Sequence, residues 1–86
     1  MDKLIHLSAK NFIKALQGKL VKDENGIQHN FFYKSRQLVL IKGILVTEDV
    51  IIDNESLEFP YRISIVRADF QGDFFISGGI FKKKLG

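Results

Sequence analysis

Arg67-Ala68-Asp69-Phe70-Gln71-Gly72-Asp73-Phe74-Phe75-Ile76-Ser77-Gly78-Gly79-Ile80-Phe81 is the stretch on which the fold turns. Around it, large apolar residues return every five positions, at Ile65, Phe70, Phe75, Ile80 and Leu85. A helix repeats its faces every 3.6 residues and a strand every 2, so neither accounts for this period. A chain that turns a corner after each short extended piece does, because each corner carries one side chain inward. The spacing predicts a winding β chain in this region.

An upstream segment repeats the pattern. With Val39 to Asn54 set beneath Ile63 to Gly78, at an offset of 24, Ile41 falls on Ile65, Ile44 on Ala68 and Val46 on Phe70. Further on, Asp49 falls on Asp73, Val50 on Phe74, Ile51 on Phe75 and Ile52 on Ile76. Successive similar units are the mark of a solenoid, in which each unit covers the apolar face of its neighbour. Two β-rich stretches of an ordinary small domain align in the same way, so that alternative stays open.

Ala68-Asp69-Phe70-Gln71-Gly72 resembles the five-residue unit of pentapeptide-repeat proteins, in which a small residue, Asp or Asn, and Leu or Phe precede two variable positions. The resemblance spans residues 39–85. It implies a right-handed parallel β-helix of four pentads per coil, with the central Leu or Phe and the small residue two before it pointing inward. Phe70, Phe75, Ile80 and Leu85 then take the central place, as do Ile41, Val46 and Ile51 upstream, with Val39, Ile44 and Gly78 at small inward positions. The same frame puts Asp49, Asp73 and Lys83 on small inward positions, where a charge is costly unless well bonded. A looser β-helix, or a frame shifted at Asp73 with Phe74 and Ile76 inward, fits as well. The offset of 24 exceeds a twenty-residue coil by four, which calls for an insertion around Glu55 to Tyr61.

The N-terminal part reads differently. Ser8 offers an N-cap oxygen, and Phe12, Ile13, Leu16 and Leu20 follow at helical spacing. Gly18 stands where a left-handed residue ends a helix, so a helix over about 9–17 is expected. One this short is unstable alone in water and must lie on an apolar surface. Asn25-Gly26 suits a tight turn, which predicts a hairpin over about 19–33, residues 19–22 pairing with roughly 27–33. Lys34 to Gln37 is a polar connector, and Leu38 to Val46 reads as buried extended chain. The expected fold is one mainly β domain over residues 1–86. Residues 1–37 form an N-terminal cap with its helix, and residues 38–86 one to two turns of a β-solenoid, itself a piece of a longer repeat protein or a unit that stacks on a copy. A small antiparallel β-barrel with one helix is the alternative.

With 86 residues, one small core is all the chain can build. There is no cysteine, which removes disulfides, thiolate metal sites and cysteine nucleophiles. No apolar run approaches the roughly 18 residues of a membrane span or the run of a signal peptide, so a cytoplasmic protein without a membrane partner is expected. The net charge of +3 comes from Lys82-Lys83-Lys84, since removing three positive charges leaves zero. Those lysines discourage further strand pairing rather than mark a nucleic-acid surface.

No residue pattern supplies a nucleophile with its base, so no enzyme activity and no cofactor are expected. His6 and His29 lack partners at metal-ligand spacing, and the His29 ring is expected at the surface. Asp49, Asp53, Asp69 and Asp73 would share a face if the units stack, but no calcium-loop spacing accompanies them. A non-catalytic structural or protein-binding module is expected. It would self-associate through Phe74, Phe75, Ile80 and Phe81 at an uncapped C-terminal end, with a second copy or another protein as partner. The alternative is a small basic barrel that binds single-stranded nucleic acid through Phe31, Phe32, Tyr33, Lys34 and Arg36, an aromatic and cationic run.

Overall fold

The computed structural model describes residues 3–82. Leu85, Lys83 and Lys84 lie outside the described residues. The chain opens with β1 (Ile5–His6) and α1 (Ala9–Leu16). As expected, Ser8 caps the helix, its side chain accepting a hydrogen bond from the Asn11 backbone N–H at 3.1 Å. Gly18 follows the helix at φ +82°. The helix buries Phe12, Ala15 and Leu16, while Leu20 lies past its end and is exposed.

The hairpin pairs β2 (Val21–Lys22) with β3 (Gln28–His29), Val21 opposite His29. Its turn is wider than an Asn-Gly pair. Asp23 organises it, one carboxylate oxygen accepting from the backbone N–H groups of Asn25 at 2.8 Å and Ile27 at 3.0 Å. The hairpin also ends sooner than expected. The Asn30 side chain accepts from the Phe32 N–H at 2.9 Å and turns the chain, so β4 (Phe32–Tyr33) pairs antiparallel with β5 (Leu38–Val46) instead. A 3-10 turn over Lys34–Arg36 makes the connection, closed by Gln37 in the left-handed region.

Strand β5 is central. Beside β4 it pairs in parallel with β1, Ile5 opposite Ile44, and along its other edge with β8 (Arg62–Phe70). After β5 come β6 (Val50–Ile52) and β7 (Glu58–Phe59); after β8 come β9 (Phe74–Ile76) and β10 (Ile80–Phe81). Strand β6 pairs in parallel with β9 and β7 in parallel with β10. The β5–β8 and β6–β9 registers both run at the offset of 24, with Ile41 on Ile65, Val46 on Phe70 and Val50 on Phe74. Glu58 pairs with Ile80, an offset of 22, because the link from β6 to β7 is two residues longer than that from β9 to β10. The two extra residues lie within 53–57, which overlaps only in part the four-residue insertion expected around Glu55 to Tyr61. The segment from Glu58 nevertheless belongs to the paired structure, and Phe59 is fully buried, its ring stacked on Phe81 at 4.5 Å. The fold is mainly β with one helix, in small sheets of mixed but mostly parallel pairing. The antiparallel barrel is corrected: among the described residues no barrel closes.

The inward positions differ from a strict period of five. Val39 and Ile41, then Ile44 and Val46, are buried. The step between these pairs is accommodated by Gly43 at φ +70°, and Arg67, 24 residues on, sits at φ +56°. Both lie in a gap of the β5–β8 ladder, between the Lys42–Val66 and Ile44–Ala68 pairs. A residue with positive φ bends each strand there and restores the same face to the interior. The next step is six, not five, and brings Val50 and Ile52 inside while Ile51 is 51 % exposed. Phe75 and Ile80, central in the pentad frame, are likewise exposed. The three-residue corner Thr47-Glu48-Asp49 causes the shift. It keeps Asp49 and Asp73 at the surface, where an Asp49 carboxylate oxygen accepts from the Asp73 N–H at 2.8 Å. A charge that the five-residue frame would have buried thus stays in water.

Gly72 lies against this corner. A Cβ at that position would stand 2.7 Å from the Glu48 carbonyl carbon and 2.8 Å from the Asp49 nitrogen, both backbone atoms. Gly72→Ala is expected to destabilise the fold by about 1–3 kcal/mol, the usual cost of overpacking. Denaturant unfolding measures it, and an unchanged midpoint contradicts close packing of the two corners.

Candidate functional site

The two ends of the paired structure differ. The N-terminal edge of β5 is covered by β4 and β1, with α1 packed nearby. Among the described residues, β8, β9 and β10 each pair on one side only, with β5, β6 and β7. Half of their backbone hydrogen-bonding groups therefore face away from any neighbouring strand.

Of the four residues expected at this end, Phe74, Phe75 and Ile80 are exposed. Ile51, also exposed, pairs with Phe75 in the β6–β9 register, which makes an apolar spot on the outer surface. Phe74 is anchored from one side. Its ring meets Phe12 at 6.0 Å and Phe70 at 5.1 Å edge-on, and Phe12 meets Phe70 at 5.2 Å. The fully buried Phe12 of α1 thus reaches the second set of strands and holds its inner rings. Phe81 is half-buried on Phe59. Beside it the Lys82 ammonium lies 2.8 Å from the Glu58 carboxylate, whose hydrogen bond and charge raise the lysine pKa.

The aromatic run at 31–33 does not form one exposed platform. Phe31 is buried and Phe32 packs on Tyr61 at a ring separation of 4.3 Å. Tyr33, Lys34 and Arg36 are exposed. Successive side chains of an extended chain point to opposite faces, and here the core claims two of the three rings.

A cavity of about 270 Å³ lies between the hairpin, the start of α1 and the end of β5. His6 bridges it. One ring nitrogen, Nδ1, is 2.6 Å from a Glu24 carboxylate oxygen and the other, Nε2, is 3.2 Å from the Thr47 hydroxyl. The Glu24 N–H donates to the His6 carbonyl at 3.0 Å, and the Ala9 N–H to the Glu48 carboxylate at 2.7 Å. Carboxylate, imidazole and hydroxyl stand in the order that activates a nucleophile. Glu24 is two-thirds exposed, however, and water screens its pull on the ring. The geometry serves as a tether that joins β1, the hairpin and the β5 corner. Residues 6, 24 and 47 carry no spacing signal that would join them in the sequence.

His29 is half-buried rather than at the surface. Its ring stacks on Phe31 at 6.0 Å, and its Nε2 lies 2.8 Å from Asp23. Among the described residues no group of three His, Asp or Glu could hold a metal ion, and no helix is long and apolar enough to cross a membrane.

The His29 hydrogen bond lowers the Asp23 pKa, against an opposing effect of burial and with help from the Ile27 and Asn25 N–H groups. A depressed carboxylate contributes stability above its unfolded pKa of about 3.9, lost as pH falls through the lower folded value. His29→Gln is expected to move the Asp23 titration upward, read by carboxyl NMR; an unmoved titration contradicts the pairing. Compared with family models, curated proteins and solved structures, the chain matches none.

Proposed function

We propose that this chain is a non-catalytic, β-helix-like stacking module, capped at its N-terminal end, whose C-terminal layer docks a second copy of itself. One observation carries the reading. Equivalent positions in the two layers differ sharply in exposure: Val50 and Ile52 are each 1 % exposed, while Phe74 and Ile76, directly paired with them, are each 40 % exposed. In the first layer β5 has strands on both sides and β6 has α1 packed against it, whereas among the described residues β8, β9 and β10 have a paired strand on one side only. Exposed apolar side chains beside an unpaired strand edge are what a docked layer would cover. The 24-residue offset and the parallel pairing support the stacked arrangement that the pentapeptide resemblance implies. The single-strand-binding alternative is left with Tyr33 as the one exposed ring of its three.

Sedimentation velocity across a concentration series tests the proposal. Self-association is expected, and Phe75→Lys with Ile80→Lys is expected to weaken it at least tenfold while the unfolding midpoint is retained, since both side chains are exposed. A monomer at all concentrations overturns the proposal.

A further inference from the structure

We infer that the copies meet C-terminal face to C-terminal face, with β8 antiparallel to its mate, and that assembly closes at two; this rests on the self-association reading. Head-to-tail stacking would require the open C-terminal edge of one copy to meet an open N-terminal edge on the next. That edge is taken. Strand β4 pairs with Leu38 and Val39, the Leu40 N–H donates to the Phe31 carbonyl at 2.8 Å, and β1 pairs with Ile44 and Leu45. With the long β5 ladder occupied and α1 packed against β6, a head-to-tail copy does not find the continuous edge that a filament needs. What remains is the same patch on both copies, an isologous contact that closes on itself.

Charge sets the strand direction. Strand β8 begins at the exposed Arg62 and carries the exposed Asp69 next to its end. A parallel mate would set Arg62 towards Arg62 and Asp69 towards Asp69, and like charges across strands destabilise. An antiparallel mate sets the cationic start of one strand towards the anionic end of the other. Within the chain the parallel arrangement carries no such cost, because Arg62 and Asp69 lie on Leu38 and Leu45 of β5. The arrangement also brings Phe74 and Ile76 of both copies beneath a facing layer.

The absence of cysteine gives a clean background for cross-linking. Val66, exposed and midway along β8, is close to its own mate in the antiparallel pair; Ile27, exposed on the hairpin that is bonded to β1, is far from its mate. On mild oxidation Val66→Cys is expected to give a covalent dimer and Ile27→Cys to stay single, while sedimentation of the unmodified chain stops at two copies. Species that grow beyond two, or a dimer cross-linked through residue 27 and not 66, overturn this inference and leave self-association standing. A strict monomer overturns the underlying reading as well.

Discussion

Parallel, in-register pairing of β8, β9 and β10 on β5, β6 and β7 is the constraint on which the remaining structure depends. Buried backbone polar groups must be bonded, and the ladders satisfy those of the first layer along its C-terminal edge. Because the register is direct, every outward or inward choice in one layer is imposed on the other. Val50 and Ile52 are buried only if Phe74 and Ile76 lie on them. A corner such as Thr47-Glu48-Asp49 must be met by a partner lean enough to approach, which is the place of Gly72.

The short N-terminal elements take their form from this stack. An eight-residue helix does not persist alone, and α1 is held by burying Phe12, Ala15 and Leu16. Phe12 reaches past the first layer to Phe70 and Phe74, so the cap also holds the ring cluster of the second. The hairpin is fastened by the Glu24–His6–Thr47 chain of contacts and stiffened by His29 on Asp23. These polar contacts close the covered end of the molecule. The other end carries exposed apolar side chains and, among the described residues, strands paired along one edge only.

Much of this was legible in the chain. Ser8 and Gly18 mark the helix because capping is local, and the hairpin follows from residues near one another in sequence. The offset of 24 was legible because parallel stacking sets like on like, so apolar residues recur in step. The five-residue frame held from Val39 to Val46 and slipped afterwards, since a corner can take two residues or three without changing which residue types surround it. That slip moved Ile51 and Phe75 outward. The tether of His6, Glu24 and Thr47 left no trace, because nothing local ties three separate segments together.

By itself, then, the sequence determined the element types, the cap and the spacing at which one stretch lies on another. These depend on backbone preference and on matched hydrophobicity, both written locally or as a repeat. Only the tertiary structure decided which apolar residues face inward, which strand edges are occupied and which remain open. Those outcomes depend on corner geometry and on chain crossings between distant segments, where a shift of one residue sends a side chain to the opposite face.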